Sequence, residues 1–254
     1  MPSLITEPMF YAVAIPAVLL LGLSKGGFAG VGTAATPLLA LYLPPLEAAA
    51  LLLPVLITQD LISLYAFRRD WDARNLKIML PGAAAGMALA WLTAAYVSDS
   101  AMRIIVGVVG LAFVANVWLN RKIDAPRHMP PAAGVFWGSV SGFTSFVMQG
   151  GGPPFQVYIL PQRLPKMTLV GTTTIFFAVV NALKIGPYLA LGQFTPANLA
   201  TSFALLPAAI LTNVAGIWLV RRTPTALFYR ITYVLLFIIS AALLWQGMRE
   251  WLFA

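Results

Sequence analysis

Ten apolar runs occupy most of the chain, and their lengths indicate whether the folded protein is surrounded by water or by lipid. A bilayer core of about 30 Å requires about 20 apolar residues in each crossing helix. The composition agrees, because 60% of the residues are hydrophobic and only 9% are charged, against about 25% charged in an ordinary soluble domain. The sequence therefore predicts an all-α polytopic membrane protein with a single transmembrane domain over residues 1–254. The runs fall at about 9–24, 32–43, 46–67, 76–97, 101–120, 132–148, 152–160, 167–191, 197–220 and 226–248.

The runs form two sets of five with the same order of lengths. Each set has two short members followed by three of spanning length, and a polar linker at 121–131 separates the sets. Residue matches at nearly constant offsets support a duplication, with the first repeat at 1–120 and the second at 132–254. The matching pairs are Pro37 and Pro153, Tyr42 and Tyr158, Pro45 and Pro161, Pro81 and Pro207, Trp91 and Trp218, Arg103 and Arg230, and Trp118 and Trp245.

The cations predict the orientation of the chain. They give a net charge of +8 and cluster in four short segments instead of along one face, which argues against a nucleic-acid partner. Cytoplasmic loops of membrane proteins carry such an excess, so all four segments are predicted to be cytoplasmic. The segments contain Arg68, Arg69, Arg74 and Lys77; Arg121, Lys122 and Arg127; Arg163 and Lys166; and Arg221, Arg222 and Arg230.

The loops near Asp99 and Gln193 are poor in cations and are predicted to lie outside. The short pair of each half then crosses an even number of times, either as two crossings or as a re-entrant hairpin. Both termini are predicted to be periplasmic in a bacterial inner (plasma) membrane, and the two halves are predicted to have inverted topology. Inverted repeats are a recurrent construction of secondary transporters.

Metal and covalent chemistry have few candidate residues in this chain. There are no cysteines, which excludes disulfides and thiolate metal sites, and the single histidine, His128, lies in the polar linker as a predicted solvated residue. An intramembrane enzyme would need an acid, base or metal set at depth. The sequence predicts no enzyme, no catalytic residues, no metal and no cofactor.

Two glycine-rich breaks lie where the short runs of each half meet. Glycine costs a helix about 1 kcal/mol relative to alanine, and irregular backbone is tolerated at membrane depth only where protein or a water-filled cavity satisfies it. We predict that short helices beginning near Gly32 and Gly152 direct their N-termini toward one point from opposite sides. Free N–H groups and the positive helix ends would favour an anion there.

Side chains beside the breaks are compatible with an oxyanion, since a cation, hydroxyls and neutral amides can all donate to it. The alternative is close helix packing through small residues, which explains Gly82, Gly86, Gly107 and Gly110. The predicted substrate-binding residues are Ser24, Lys25, Gly26, Gly27, Gly30, Gly32, Thr33, Gln149, Gly150, Gly151, Gly152 and Gln156.

Two charged residues lie inside long apolar runs. Asp60 is a functional candidate, predicted to couple transport to protons; the alternative is a structural ion pair with Arg68 and Arg69. Lys184 and Asn181 lie at about the equivalent position of the second half. Lys184 is predicted to extend to the outer interface, and a direct pair with Asp60 is not predicted because inversion places the two at different depths.

Other polar and aromatic residues have structural interpretations. Asn213 and Asn116 are single amides in predicted helices, where hydrogen bonds between helices are the expected role. Tryptophans near the predicted helix ends are expected to be interfacial anchors. These are Trp71, Trp91, Trp118, Trp218, Trp245 and Trp251.

The glycine-rich run ending in Pro37 and the run Gln149-Gly150-Gly151-Gly152-Pro153 resemble the sulfite exporter TauE/SafE family of membrane proteins. The resemblance covers nearly the whole chain. It implies a transporter of sulfite, sulfonates or related sulfur oxyanions, often exporting them from the bacterial cytoplasm.

The breaks and the resemblance together predict a secondary transporter that exports a small sulfur-containing oxyanion by alternating access. The alternatives are a passive anion channel and a non-transporting membrane assembly factor. The predicted partners are a small anionic substrate, the lipid bilayer and a possible second copy of the chain in a homo-oligomer.

Overall fold

The structure, a computed structural model, describes residues 5, 7–28, 32, 35–39, 42–43, 45–93, 98–119 and 126–253. Within these ranges every regular element is helical, which confirms the predicted all-α class. A 3₁₀ turn, Leu160–Gln162, follows α7. The α-helices are α1 Pro8–Lys25, α2 Ala35–Leu39, α3 Pro45–Phe67, α4 Ala73–Thr93, α5 Asp99–Leu119, α6 Pro131–Met148, α7 Gly152–Ile159, α8 Lys166–Ala190, α9 Pro196–Arg222 and α10 Thr225–Phe253.

The described helices confirm a polytopic membrane protein. Six of them, α1, α3, α4, α8, α9 and α10, are long and apolar enough to cross a bilayer, and α5 contributes a shorter apolar stretch, Arg103–Leu119. Helix α1, predicted as a short member of its set, is 18 residues long. The six tryptophans predicted as anchors are 45% to 71% exposed, as interfacial residues should be.

The chain divides into two compact units. Unit 1 comprises Met1–Trp71 and Val170–Thr223, and unit 2 comprises Asp72–Leu169 and Pro224–Ala254. Unit 1 therefore holds α1 to α3, most of α8, and α9, whereas unit 2 holds α4 to α7 and α10. Each unit takes helices from both predicted repeats, and the single domain over 1–254 stays a prediction.

In unit 1, helices α1, α3 and α9 run parallel to one another. The Ser202 hydroxyl of α9 donates to the Leu51 carbonyl of α3 at 2.6 Å, and Gly26 of α1 faces Gly216 of α9. Helix α2 lies between α1 and α3 in the chain and packs on both. The apolar core of unit 1 contains Phe10, Ala14, Ala17, Val18, Leu21, Ala35, Leu39, Ala48, Leu51, Leu52, Val55, Leu56, Leu205 and Ala209.

Helix α8 runs antiparallel to α3 within unit 1. Gly171, near the start of α8, lies against the backbone of Asp70, just beyond the end of α3. Ten residues later, Asn181 of α8 donates a hydrogen bond to Asp60 of α3. This packing places the middle of α8 beside the only acidic side chain in the apolar part of α3.

In unit 2, small residues allow helix backbones to approach closely. A Cβ atom on Gly86 of α4 would overlap the Ser139 carbonyl of α6. A Cβ on Gly107 of α5 would lie 2.7 Å from the Leu244 backbone nitrogen of α10. The packing role predicted for these glycines is confirmed, and the same holds for Gly82 and Gly110.

The helix directions in unit 2 follow from the same contacts. Helices α4 and α6 are parallel, whereas α5 and α10 are antiparallel. An ion pair between Arg103 of α5 and Glu250 of α10 joins the start of one helix to the end of the other. His128 is exposed, as predicted for a loop residue, and its Nε2 lies 2.9 Å from the Arg74 guanidinium.

Candidate functional site

The first glycine-rich break ends α1 inside unit 1. The Gly26 N–H caps the helix by donating to the Gly22 carbonyl at 2.8 Å. Gly27 has a φ of 133°, a conformation that glycine adopts without steric cost, and the chain leaves the helix axis there. The Ser63 hydroxyl of α3 donates to the Lys25 carbonyl at 2.8 Å. The end of α1 is thus held against α3 by a polar contact at a buried position.

Two glycines of this break have packing roles. A Cβ on Gly26 would lie 2.5 Å from the Gly216 Cα of α9, and a Cβ on Gly32 would lie 3.0 Å from the Ser24 side chain. Helix α2 is described from Ala35, three residues after Gly32. Gly30 and Thr33, both predicted to bind substrate, lie outside the described residues.

The two charged residues predicted to act separately, Lys25 and Asp60, are joined in the structure. The Lys25 ammonium donates to Asp60 Oδ1 at 2.5 Å, and Asn181 Nδ2 donates to Asp60 Oδ2 at 2.7 Å. The Lys184 ammonium in turn donates to Asn181 Oδ1 at 3.2 Å. We call these four residues the buried charge cluster, since Asp60 is 3% exposed and Lys184 is 0% exposed.

Three expectations about these charges are corrected. The ion pair of Asp60 with Arg68 or Arg69 is wrong, because Lys25 is the partner and the Arg68 guanidinium lies over the Tyr65 ring at 4.3 Å. Lys184 does not extend to an interface but is fully buried. The expected difference in depth between Asp60 and Lys184 is also wrong: antiparallel packing of α3 and α8 brings them within reach of one bridging amide, Asn181.

The buried charge cluster combines one ion pair with a neutral amide and a second lysine. The Lys25 ammonium and the Asn181 amide donate to Asp60, and Lys184 Nζ donates to Asn181. An oxyanion can accept hydrogen bonds from the same kinds of donor. The Phe177 ring, with its centroid 5.7 Å from the Lys25 nitrogen, offers additional cation–π stabilisation.

Neutral side chains connect the cluster to α9. Asn213 Nδ2 donates to the Ser63 hydroxyl at 3.0 Å, and Gln59 Nε2 donates to the Ala209 carbonyl at 3.2 Å. The predicted role of Asn213 in a hydrogen bond between helices is confirmed. These contacts hold α3 against α9, and therefore fix the position of Asp60.

Asn213→Ala is expected to lower the free energy of unfolding by about 1 kcal/mol, the usual size of such a bond between membrane helices. Denaturant titration of the detergent-solubilised protein, followed by tryptophan fluorescence, measures the change. Thr225→Ala, at an exposed position at the start of α10, is the matched control. Equal stability of the two variants would contradict this role for Asn213.

The second glycine-rich break ends α6 inside unit 2. Gln149 caps α6 in the left-handed region, with a φ of 56°, and the Gly150 N–H donates to the Thr144 carbonyl at 3.1 Å. The Ser141 hydroxyl donates to the Gly151 carbonyl at 2.7 Å. Helix α7 begins at Gly152, which confirms the predicted start.

The donors at the start of α7 are fewer than a helix normally presents. Pro153 and Pro154 have no N–H, and the Phe155 N–H already donates to the Gly151 carbonyl at 3.2 Å. The amides of Gly151 and Gly152 therefore remain as the donors that an anion site here requires. Gln156, one turn further along, is 2% exposed.

The predicted site residues that the structure describes fall into two groups, one in each unit. Unit 1 brings Ser24, Lys25, Gly26, Gly27 and Gly32 to one end of α1, where Asp60 joins Lys25. Unit 2 brings together the second group, and the convergence of both groups on one pocket stays a prediction. The second group is Gln149, Gly150, Gly151, Gly152 and Gln156.

Sequence reasoning missed the place of Asn181 and Lys184 in the cluster. The available signal was their spacing of three residues, which puts both side chains on one face of α8. The sequence alone did not show which face of α3 meets that face of α8.

The apolar crossing helices define a polytopic membrane protein. Unit 1 also buries an ion pair and a second lysine, and charged groups inside a membrane protein are typical of proteins that move solutes or ions. The chain belongs to the sulfite exporter TauE/SafE family, whose model matches residues 14–243. This is a family of membrane transporters. No curated protein and no solved structure matches the chain.

Proposed function

We propose that the protein is a secondary transporter that exports a small sulfur-containing oxyanion, such as sulfite or an organosulfonate, across the bacterial inner membrane. The observation that carries the proposal is the buried charge cluster, where the Lys25 ammonium, the Asn181 amide and the Lys184 side chain lie together as hydrogen-bond donors. An anion that enters this cluster meets donors that are already in place. The proposed partners are the small anion, the bilayer and a second copy of the chain in a homo-oligomer.

The substrate class follows from the donors beside the cluster. A sulfur oxyanion has several equivalent oxygens and accepts from many donors at once. Lys25 supplies the ammonium group and Ser24 a hydroxyl, and both lie at the end of α1. The glycines of the two breaks and the amides of Gln149 and Gln156 are the proposed remaining donors.

Many transporters that work by alternating access have two equivalent halves of opposite orientation. Helices α3 and α8 are the third members of the two predicted repeats and run antiparallel in unit 1. Helices α5 and α10 are the fifth members and run antiparallel in unit 2. The first member of each half also packs on the fourth member of the other, since α1 contacts α9 and α6 contacts α4. These four pairings support the proposed inverted repeat.

The proposed orientation puts the cationic segments in the cytoplasm and both termini in the periplasm. Two contacts support it, one in each unit. In unit 1, the Arg221 guanidinium of α9 donates to the Ala66 carbonyl of α3 at 2.9 Å, so two cationic helix ends are neighbours. In unit 2, the Arg127 N–H donates to the Pro161 carbonyl at 3.0 Å, which brings the linker to the loop that contains Arg163.

Asp60 is the proposed group that couples transport to protons. It is the carboxylate of the buried charge cluster, and its protonation state decides how strongly Lys25 is held. A passive anion channel, the second candidate, needs no such exchange and would conduct without saturation.

Purified protein in liposomes is expected to take up sulfite and methanesulfonate with saturable kinetics, and to take up acetate at least about tenfold more slowly. Radiolabelled or chemically assayed uptake into the lumen, compared with protein-free liposomes, provides the measurement. Flux proportional to concentration over the whole range would indicate the channel. The absence of flux for every anion would indicate an assembly factor.

A further inference from the structure

The hydrogen bonds to Asp60 have the pattern expected for a bound oxyanion. One carboxylate oxygen accepts from the Lys25 ammonium of α1 at 2.5 Å. The other accepts from the Asn181 amide of α8 at 2.7 Å, and that amide accepts from the Lys184 ammonium at 3.2 Å. An oxyanion with two or three oxygens could accept from the same three side chains.

We propose that Asp60 occupies the place of the substrate in the empty transporter, and that its protonation releases Lys25, Asn181 and Lys184 to bind one monoanion. This inference rests on the proposed function and deepens it. It assigns Asn181 and Lys184 to the substrate site and one transported proton to each monoanion.

The charges of the two states support this exchange. The empty site contains the Lys25 ammonium and the Asp60 carboxylate, and the loaded site contains the ammonium, a neutral Asp60 carboxyl and the anion. Both states have the same net charge. The transporter can therefore switch between its two open sides, empty or loaded, without burying an additional charge in its low-dielectric interior. The proton comes from the solvent on the side where the anion enters and leaves to the solvent on the other side. Transport of a monoanion is therefore electroneutral.

The groups that face Asp60 make protonation and anion binding depend on each other. Lys25 faces it from α1, and Lys184 reaches it from α8 through Asn181. Toward α9, the described contacts are neutral and run through Ser63 and Asn213. The Lys25 ammonium and the Asn181 amide bind the carboxylate oxygens, and an anion that takes these donors competes with the carboxylate for them. By linkage, the protonated carboxyl favours the anion to the same extent.

The wild-type protein provides the first test. Proteoliposomes are loaded with a pH-sensitive dye, and a potassium gradient with valinomycin sets the membrane potential. The probes are methanesulfonate and sulfite in a buffer acidic enough for the monoanion to dominate. We expect one proton to enter with each anion and the initial rate to be unchanged by the potential. A rate that changes several-fold with the potential, or anion entry without proton entry, would overturn the proposal.

Asp60→Asn provides the second test, because its amide cannot take up the proton. The variant is expected to carry the anion alone, with no proton movement and an initial rate that increases at least about fivefold when the lumen is made positive by 100 mV. Asp70→Asn, the same change just beyond the end of α3, is the control and should keep electroneutral transport. Proton entry with each anion in Asp60→Asn would overturn the proposal. Where that variant is not monodisperse on size exclusion, the wild-type test decides alone.

Asn181→Ala and Lys184→Met test the assigned donors. Each is expected to raise the KM for the anion about tenfold while one proton still enters with each anion. A purely structural role would lower the unfolding midpoint and leave KM unchanged, which would overturn the assignment. Lys77→Met, which removes an exposed cation, is the matched control.

Failure of the proposed function has a different signature. It would appear as the absence of saturable flux for every anion in monodisperse wild-type protein. Mixing detergent-solubilised protein with sulfite monoanion in weakly buffered solution then tests the exchange directly. Uptake of one proton per bound anion would support it, and binding without proton uptake, or no binding, would overturn it.

Discussion

Lys25→Met is expected to lower kcat/KM for the transported anion by about 100-fold or more. The ammonium is the cation in direct contact with Asp60 at the end of α1. Removing one partner of a buried ion pair costs about 3 kcal/mol or more, because the other charge loses its compensation. An energy of that size corresponds to about two powers of ten in an equilibrium or rate constant. Initial rates of sulfite uptake by proteoliposomes, over a range of concentrations, measure the effect.

The double variant Lys25→Met/Asp60→Asn separates stability from transport. It removes the uncompensated carboxylate, so its unfolding midpoint is expected to return toward that of the wild type. Its transport is expected to stay low, because no ammonium remains at that position to bind the anion. Lys77→Met controls for loss of one cation elsewhere. Uptake by Lys25→Met at the wild-type kcat/KM would contradict the role of Lys25.

Gly216→Ala is expected to destabilise the protein by about 2 kcal/mol, within the range for overpacking at a tight contact. A Cβ at this position would lie 2.9 Å from the Gly26 Cα, and backbone cannot move aside as a flexible side chain can. Thermal unfolding of the detergent-solubilised protein, followed by size exclusion, measures the change. Gly186→Ala, in α8, is the matched control because the added Cβ would meet nothing within 4 Å.

The same pair of glycines distinguishes packing from anion binding at the first break. Gly216 belongs to α9 and to neither break, whereas Gly26 belongs to the break itself. If packing is the role of Gly26, then Gly26→Ala and Gly216→Ala lower stability equally and leave the KM of the folded fraction unchanged. If the Gly26 backbone binds substrate, Gly26→Ala alone raises KM. Stability of Gly216→Ala equal to that of the wild type would contradict the close contact.

Most helix positions could be predicted from the sequence because the bilayer imposes a length on each apolar run. The third run, predicted at about 46–67, is α3 at Pro45–Phe67, and the start of α7 at Gly152 followed from a Gly-Pro boundary.

The partners of the buried charges could not be predicted from the sequence. Lysine has a long flexible side chain, so its position along a helix does not determine where its ammonium lies. Lys184 was expected at an interface and is fully buried beside Asn181. The arginines nearest to Asp60 in the chain were its expected partners, whereas the partner in the structure, Lys25, comes from a different helix, 35 residues earlier.

Composition, run length and cation placement in this sequence determined that the chain is a helical membrane protein, where its helices lie and which residues are unusual for a bilayer. Those properties depend on the transfer of single segments from water to lipid, so each can be predicted from the composition and length of one segment alone. The tertiary structure alone decided that Lys25, Asp60, Asn181 and Lys184 form one cluster. Such a cluster depends on the rotation and register of packed helices, which are set by contacts such as Gly26 against Gly216 between segments distant in the chain.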